Sequence, residues 1–292
     1  MIHYEGKLYR PPSEANSLIL QATIGCSYNR CTFCAMYRDK RFRVRPLQEL
    51  LAEIEWAQAH LGRVDKVFLA DGDALMAKAS FLGELLDALR AAFPQLRRVS
   101  CYASPQSIQV RSVEEMRDLR ERGLTLYYLG IESGHDEVLE RLDKGVDAEE
   151  MIAVGQKAHA AGVKLSTMVL LGAGGREGSR GHAEESARVV NEIGPRFVST
   201  LVMSPVEDTP LWEEDQRGEV DHLDPVELAA ELRHFIAGLE LSGSVFRSNH
   251  ASNYLALAGT LPKDKESLVD GLDKVLANPG SARFVPDWMR GL

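Results

Sequence analysis

The sequence has only four cysteines among its 292 residues, no excess of basic residues and no long apolar run. With 34 basic residues against 43 acidic ones, the formal net charge is −9, which disfavours general binding to nucleic acid or to anionic membranes. No apolar run approaches the roughly 18 residues of a membrane-spanning helix, and the N-terminus lacks the basic and apolar regions of a secretory signal. These absences predict a soluble, cytoplasmic protein.

The sequence also lacks internal repeats, low-complexity tracts and a Pro/Gly/Ser linker that would mark an independent second domain. Its 45% of apolar and 26% of charged residues are typical of a globular chain and not of a disordered one. The pattern of residues nevertheless changes after Pro210. We therefore predict a core over residues 1–242, followed by a C-terminal extension over residues 243–292.

Short apolar runs alternate with helical patterns along this core. The predicted strands cover residues 17–23, 67–69, 98–102, 124–129, 164–171 and 197–203. The predicted helices cover residues 46–60, 81–92, 112–123, 147–162, 183–193 and 224–241. Strand–helix units joined by short connections favour a parallel sheet with helices packed outside it, and six units are too few for a complete eight-stranded barrel. The predicted fold class is α/β, a partial (βα)6 TIM-like barrel with a C-terminal helical extension.

Three of the four cysteines, Cys26, Cys31 and Cys34, lie on a loop directly after the first predicted strand. In a reducing compartment a disulfide is disfavoured, so clustered thiols indicate a metal site or a redox site. Three thiolates on one short loop suit a [4Fe–4S] cluster that leaves one iron open for a ligand. The alternatives are a thiol pair for redox exchange and a zinc site, whose fourth ligand would be Cys101 or a histidine.

The spacing C-x4-C-x2-C, with Phe33 before the last cysteine, resembles the C-x3-C-x2-C motif of the radical S-adenosylmethionine (radical SAM) superfamily. Four further segments extend the resemblance. Residues 70–73 resemble the Gly-Gly-Glu-like turn that follows the second strand in that family. Residues 129–134 resemble the ribose-binding segment of relatives of oxygen-independent coproporphyrinogen oxidase and of the methylthiotransferases. Residues 170–175 resemble the family's apolar-Gly-x-Gly element, which lies beside the adenine. Residues 204–211 resemble a Pro-x-x-Gly-Thr-Pro-Leu run of these relatives, with Asp208 at the position where glycine is usual.

The resemblance implies a [4Fe–4S] cluster held by the metal ligands Cys26, Cys31 and Cys34, and S-adenosylmethionine as second cofactor. The cofactor-binding residues that it implies are Phe33, Asp71, Gly72, Asp73, Glu132, Ser133, Lys144 and Gly172. Glu132 or Ser133 would accept the ribose hydroxyls, and Lys144 would pair with the carboxylate or, alternatively, be a solvated lysine at a helix end. Because the carboxyl ends of parallel strands lie at one end of a barrel, these turns are expected to converge beside the open iron.

The activity implied is that of an enzyme that cleaves S-adenosylmethionine reductively and abstracts hydrogen from a substrate. The extra residue between Cys26 and Cys31 leaves open which carbon–sulfur bond breaks. The substrate and the net reaction, whether oxidation, cleavage or transfer, are open as well. Two alternatives come from other classes of protein. One is a non-catalytic iron–sulfur electron carrier or redox sensor, and the other is a zinc-stabilised binding module.

A basic run of five residues follows the cysteine loop in this otherwise acidic chain: Arg38, Lys40, Arg41, Arg43 and Arg45. Because the cluster needs an external electron, the run is predicted to dock an acidic reductant such as flavodoxin or ferredoxin. A solvated surface segment and a site for a phosphate-bearing substrate are the alternatives.

The remaining candidates have weaker roles. Cys101 lies in an apolar strand and is predicted to be a buried small hydrophobe, so no ligands are left for an auxiliary cluster. Four polar residues of the extension would either line the mouth of the barrel or form caps and surface hydrogen bonds: Arg247, Asn249, His250 and Asn253. Four histidines are assigned no functional role: His135, His159, His182 and His222.

Overall fold

The computed structural model describes residues 1–291. Its strands are β1 (Leu18–Gln21), β2 (Thr23–Ile24), β3 (Arg43–Val44), β4 (Lys66–Ala70), β5 (Arg98–Tyr102), β6 (Leu124–Glu132), β7 (Lys164–Leu171), β8 (Phe197–Val202), β9 (Ser244–Ser248) and β10 (Leu257–Leu261). Its helices are α1 (Leu47–His60), α2 (Ala79–Ala92), α3 (Pro105–Val110), α4 (Val113–Glu121), α5 (Asp136–Arg141), α6 (Ala148–Ala160), α7 (Gly175–Ile193), α8 (Pro210–Gln216), α9 (Pro225–Gly238) and α10 (Lys265–Ala277). Short 3-10 turns occupy Pro12–Glu14, Ala74–Met76, Pro279–Ser281 and Asp287–Met289.

The main sheet follows the order β1, β4, β5, β6, β7, β8, β9, β10, and β2 pairs separately with β3. The pairs β1–β4, β4–β5, β5–β6, β7–β8 and β8–β9 are parallel, whereas β9 and β10 are antiparallel. The six predicted strands correspond to β1, β4, β5, β6, β7 and β8. Parallel strands in chain order with intervening helices confirm the predicted α/β fold, a partial barrel of the TIM type.

Within residues 1–291 no helix is long and apolar enough to cross a membrane.

Five of the six predicted helices begin within two residues of their predicted starts, and capping boxes mark two of these starts. Ser112 accepts a hydrogen bond from the Glu115 N–H and Glu115 reciprocates, which forms the predicted capping box of α4. Asp224 and Glu227 form the same motif at α9. The exception is α7, which begins at Gly175 and not at residue 183 as predicted, because glycines weaken the helical signal of its first turns.

One compact unit of the fold comprises residues 1–29, 36–129 and 157–165. Its N-terminal turn is fastened to the sheet by Glu14, whose side chain is fully buried. The Glu14 carboxylate accepts hydrogen bonds from the guanidinium of Arg98 (2.6 Å) and from the hydroxyls of Ser100 (3.0 Å) and Tyr128 (2.5 Å). A buried carboxylate is tolerated only with such partners, so this network fixes the start of the chain against β5 and β6.

The second compact unit comprises residues 30–35, 130–156 and 166 onwards. Its C-terminal part adds two strands to the predicted helical extension: β9 continues the parallel sheet next to β8, and β10 pairs antiparallel with β9 before the helix α10. Phe246 is the fully buried aromatic residue of β9, and polar residues flank it. Such a short, mostly polar strand leaves little periodic signal in a sequence. The boundary between residues 242 and 243 stays a prediction.

Candidate cofactor-binding site

The first half of the cysteine loop is fastened to the turn that follows β4. The N–H of Asp71 donates to the carbonyl of Thr23 (3.2 Å), and the N–H of Gly72 donates to the carbonyl of Gly25 (3.1 Å). A side chain at Gly72 would not fit, because its Cβ would lie 2.7 Å from the ring of Tyr37 and 2.9 Å from the Cβ of Cys26. Glycine is therefore required where the backbone of this turn lies against Cys26.

The carboxylate of Asp71 is fully buried at this turn. Its Oδ2 accepts hydrogen bonds from the ammonium of Lys40 (2.8 Å), the side-chain amide of Gln21 (3.0 Å) and the N–H of Gly25 (3.1 Å). Among residues 1–291 no hydrogen-bond donor reaches the other oxygen, Oδ1, which is also buried. Because a buried acceptor without a donor costs stability, Oδ1 fits an N–H donor on a ligand, such as an amino group.

Asp73, at the end of the same turn, is also fully buried. Its carboxylate accepts hydrogen bonds from the Ser104 hydroxyl (2.7 Å), the Ser104 N–H (3.2 Å) and the hydroxyl of Ser27. Burial raises the pKa of the Asp73 carboxyl, and the hydrogen bonds from Ser104 and Ser27 act in the opposite direction. Ser27 follows Cys26 directly, so Asp73 contacts the cysteine loop through a side chain.

The second half of the cysteine loop is held by the end of α5. Thr32 donates twice to carbonyls at that helix end, through its N–H (3.0 Å) and its hydroxyl (3.1 Å). The guanidinium of Arg30 forms an ion pair with Asp143 (3.1 Å). These contacts fix the backbone that carries Cys31 and Cys34.

Phe33 lies between these two cysteines and is half-buried. It packs against an apolar cluster of Val138, Leu142, Leu170, Ala173, Met203 and Leu211. Leu170 and Ala173 bracket the turn that follows β7, which contains Gly172. Phe33 therefore packs against the cluster that includes Leu170 and Ala173, which flank the predicted position Gly172.

The three clustered cysteines are half-buried, and no disulfide involves any cysteine within residues 1–291. Cys101 is fully buried, as predicted, and burial raises the pKa of its thiol well above the ordinary value. A thiol in this environment is a poor ligand, because the thiolate is the form that binds metal.

The arrangement of side chains bears on the kind of metal centre. Within residues 1–291 no group of three or more His, Cys, Asp and Glu side chains is arranged to hold a single metal ion. A structural zinc site needs four ligands around one ion. A [4Fe–4S] cluster takes one thiolate on each of three irons, and three half-buried thiols on one loop fit that requirement.

Glu132 ends β6 in the left-handed backbone region, with φ of 66°. Its Oε1 accepts a hydrogen bond from the Nζ of Lys144 at 2.8 Å, and both side chains are only 9% exposed. Lys144 is therefore buried and paired, which excludes the solvated alternative. Non-glycine residues rarely adopt this conformation, and those that do are concentrated at ligand sites.

Ser133 has partners that the sequence did not predict. It is fully buried, its hydroxyl lies 2.8 Å from Nδ1 of His182, and it also accepts the N–H of His135 (2.9 Å). The other ring nitrogen of His182, Nε2, donates to the Leu170 carbonyl (2.9 Å), so the hydroxyl of Ser133 donates to Nδ1. Burial lowers the pKa of His182 to about 4, which keeps the ring neutral at physiological pH.

Glu231, on α9, is a second residue that sequence reasoning missed. Its buried carboxylate accepts hydrogen bonds from the N–H of Gly172 (2.6 Å) and from the hydroxyl of Ser179 (2.6 Å), and burial raises its pKa to about 7. Its Oε1 lies 3.8 Å from Nε2 of His182. No local motif could have identified Glu231, because its partners are about fifty residues away in the chain.

The basic run divides into buried and exposed residues. Lys40 pairs with Asp71, and Arg45 is buried and donates to Glu53 (2.8 Å), so neither forms part of an exposed patch. Arg43 is exposed and pairs with Glu5 at the surface, whereas Arg38 is half-buried and Arg41 is exposed. Three residues of the basic run are therefore not buried, Arg38, Arg41 and Arg43, and the docking role of the run stays a prediction.

The polar residues of the extension are mainly structural or exposed. Asn253 is buried and bonds twice to the backbone of β8, accepting from an N–H (2.9 Å) and donating to a carbonyl (2.8 Å). His250 is half-buried and hydrogen-bonds Ser252 (2.9 Å), whereas Arg247 and Asn249 are exposed. Asn253 therefore matches the hydrogen-bonding alternative.

The loop after β8 explains one departure from the family pattern. Asp208 has φ of 67°, the backbone region that glycine adopts most easily, at the position where relatives carry glycine. The next residue, Thr209, caps α8 by accepting the N–H of Trp212 (3.1 Å). Aspartate is among the few other residues that tolerate this conformation, so the turn is retained.

The partial barrel and its cysteine loop define the class as a barrel protein that carries an iron–sulfur cluster. The family model described as the Radical SAM superfamily matches residues 20–188, more than half of the chain. The chain belongs to the radical SAM superfamily. Members of this superfamily use a [4Fe–4S] cluster and S-adenosylmethionine, and they need a reductant.

Two curated proteins are similar in sequence. One is the 4′-phospho-dehydrooxetanocin synthase of Priestia megaterium, 27% identical over 172 residues, which are 51% of this chain and 22% of that protein. The other is an uncharacterized protein of Methanocaldococcus jannaschii, 24% identical over 226 residues, which are 77% of this chain and 62% of that protein. The chain therefore spans less than two thirds of the length of each relative.

Solved structures share the fold. Methylornithine synthase has a TM-score of 0.55 at 16% identity, over 89% of this chain and 81% of that chain. Coproporphyrinogen III oxidase of Escherichia coli, a radical SAM enzyme, has a TM-score of 0.56 at 18% identity, over 76% of this chain and 51% of that chain. At these identities the likeness concerns the fold.

The ion pair of Glu132 and Lys144 leads to a stability prediction at Gly130. A Cβ at Gly130 would lie 1.8 Å from Oε1 of Glu132 and 3.1 Å from Nζ of Lys144, so Gly130→Ala must displace the pair. We expect a loss of about 1–3 kcal/mol in the free energy of unfolding, measured with urea. The control Gly178→Ala lies in α7 with open space around it and should stabilise by about 0.5–1 kcal/mol. Wild-type stability in Gly130→Ala would contradict the observed position of the pair.

Proposed function

We propose that the protein is a radical SAM enzyme in which Cys26, Cys31 and Cys34 ligate a [4Fe–4S] cluster that binds S-adenosylmethionine at its open iron. The observation that carries this proposal is the close packing of Gly72 on Cys26, because it presents backbone groups beside a cluster ligand. When bound and reduced, the cluster supplies the electron that cleaves S-adenosylmethionine to methionine and a 5′-deoxyadenosyl radical, which takes hydrogen from the substrate.

The turn after β4 would bind the methionine part of the cofactor. Its amino group needs acceptors, and the buried Oδ1 of Asp71 together with the backbone around Gly72 supplies them. Lys40 neutralises the Asp71 carboxylate through Oδ2, so the turn carries no uncompensated charge before the cofactor binds. Asp73 would act on the cluster side, by holding Ser27 next to Cys26.

The turns after β6 and β7 would bind the adenosine part. Glu132 is an acceptor for ribose hydroxyls, and Lys144 holds its carboxylate in place. Phe33 and the residues Leu170 and Ala173 that flank Gly172 form one apolar region, which would exclude water from the adenine. Ser133 would act indirectly, through its hydrogen bond with His182.

An iron–sulfur electron carrier would need the cysteines but not these turns. The buried ion pair at a left-handed Glu132 is costly to maintain and has no use in such a carrier. This pair favours the enzyme over the carrier.

The reductant would be an acidic electron-transfer protein such as flavodoxin or ferredoxin. Arg41 and Arg43 are both exposed, and they follow the cysteine loop closely in the sequence. Because the chain as a whole has a net charge of −9, we propose that they form a local basic surface. Because thiols and such reductants persist in a reducing compartment, we propose that the protein is cytoplasmic.

The cysteine assignment predicts the iron content. Anaerobically reconstituted wild type should contain about four irons per chain, absorb broadly near ~400 nm, and form 5′-deoxyadenosine with dithionite and S-adenosylmethionine. The single variants Cys26→Ala, Cys31→Ala and Cys34→Ala should lose the cluster, because each removes one of three protein ligands. Cys101→Ala is the matched control and should keep it. A full complement of iron in any of the three loop variants would refute the three-ligand assignment.

The role of Glu132 predicts the affinity for the cofactor. Glu132→Ala should weaken S-adenosylmethionine binding by about 10- to 100-fold, since a charged acceptor is lost, with iron content unchanged. Lys144→Met breaks the same ion pair but keeps the Glu132 carboxylate. It should therefore lower the stability about as much as Glu132→Ala does, but weaken cofactor binding less. Anaerobic titration with a melting curve for each variant measures both effects. Unchanged affinity in Glu132→Ala, together with lower stability, would show that Glu132 is only structural.

The exposed arginines predict the dependence on the electron donor. Arg41→Glu should slow flavodoxin-driven turnover several-fold and leave dithionite-driven turnover nearly unchanged, because opposite charges accelerate protein encounter. The effect should shrink with added salt, since charges are screened beyond about 8 Å at physiological ionic strength. Lys274→Glu, an equal change of charge on α10, is the control. Equal loss with both donors would point to a defect in the cysteine loop.

A further inference from the structure

A chain of buried hydrogen bonds connects the turn after β6 to the turn after β7. It begins at the hydroxyl of Ser133, which bonds Nδ1 of His182, and Nε2 of His182 donates to the carbonyl of Leu170. Two residues further on, the N–H of Gly172 donates to Glu231 at 2.6 Å. The side chains of Ser133, His182 and Glu231 are all buried.

We infer that His182 and Glu231 are positioning residues, which hold the turns at Glu132–Ser133 and at Leu170–Gly172 in one arrangement that binds the adenosine part of S-adenosylmethionine. The inference rests on the proposed function. Neither residue contacts the ribose acceptor itself. His182 acts through Ser133 and Leu170, and Glu231 acts through the backbone of Gly172.

The geometry explains why a hydrogen-bond acceptor is needed at Glu231. Gly172 has φ of 83°, so its turn leaves the strand in a left-handed conformation, and its N–H is turned to a side chain on α9. A buried N–H without an acceptor is costly, so the carboxylate selects this conformation of the turn. Ser179 on α7 holds the other oxygen of Glu231 at 2.6 Å, which fixes the direction of the carboxylate.

His182, on α7, does the same by bonding to the ends of both β6 and β7. As a neutral imidazole with the proton on Nε2, it is a donor on one side and an acceptor on the other. It can therefore bind the carbonyl of Leu170 and the hydroxyl of Ser133 at the same time. An apolar residue of similar size would fill the space and leave both partners unpaired.

The experiment compares two pairs of variants in the reconstituted full chain. Glu231→Leu and His182→Leu keep the bulk and remove the hydrogen bonds, and each should raise the Kd for S-adenosylmethionine about tenfold or more, with iron content and cluster spectrum unchanged. Glu231→Gln keeps an acceptor for Gly172, and His182→Gln keeps a donor for Leu170. Both should bind within about threefold of wild type.

A matched control separates positioning from stability. Phe235→Leu opens a cavity one turn further along α9 and keeps both hydrogen bonds of Glu231, so it should lower the melting temperature without changing the Kd of the folded fraction. If Phe235→Leu weakens S-adenosylmethionine binding as much as the test variants do, the inference is overturned and the proposed function stays intact. The same holds if Glu231→Leu and His182→Leu both keep the wild-type Kd. A wild type that carries its cluster but does not bind S-adenosylmethionine would overturn both.

A second measurement decides the matter if the Leu variants fail to fold. Hydrogen–deuterium exchange of wild type should show slow exchange for the Gly172 amide, because its N–H is bonded to a buried carboxylate. Glu231→Gln should keep this protection within a few-fold. Exchange of the Gly172 amide at the rate of an open loop in wild type would overturn the inference.

Discussion

The buried carboxylate of Asp71 is the constraint on which the first half of the cysteine loop depends. One of its oxygens accepts three hydrogen bonds, from the Gln21 side chain on β1, from the N–H of Gly25 in the loop and from the ammonium of Lys40. The ammonium of Lys40 also donates to the carbonyl of Lys7. A single carboxylate thus joins the N-terminal segment, the first strand and the loop. Gly72 can then approach Cys26 closely, because the backbone next to it is already fixed on both sides.

The end of α5 has the corresponding role in the second half of the loop. Its last carbonyls accept both donors of Thr32, and Asp143 pairs with Arg30. The next residue, Lys144, holds Glu132. Four consecutive residues therefore fix both the backbone around two cysteines and the carboxylate proposed to bind ribose. A change in this segment is expected to affect the cluster and the cofactor together.

The sequence predicted what depends on local pattern. Six apolar runs became the parallel strands, and the cysteine spacing and the glycines at 72 and 172 marked turns where the backbone approaches other groups closely. It did not reveal Lys40 as a buried partner, because a lysine within a basic run is normally solvated. His182 and Glu231 were missed for a different reason. Their partners come from distant parts of the chain, so only the folded structure brings them together.

Four ionisable side chains of the candidate site are buried: Asp71, Glu132, Lys144 and Glu231. Apolar residues of similar volume would often give equal or greater stability than buried polar or charged groups of this kind. Their retention is reasonable if Asp71 and Glu132 serve a ligand that carries both charges and hydroxyl groups, and if Lys144 and Glu231 hold the turns that bind it. S-adenosylmethionine has an amino group for the acceptor at Asp71 and ribose hydroxyls for the acceptor at Glu132. The energetic cost of these side chains thus supports the enzyme over a simple electron carrier.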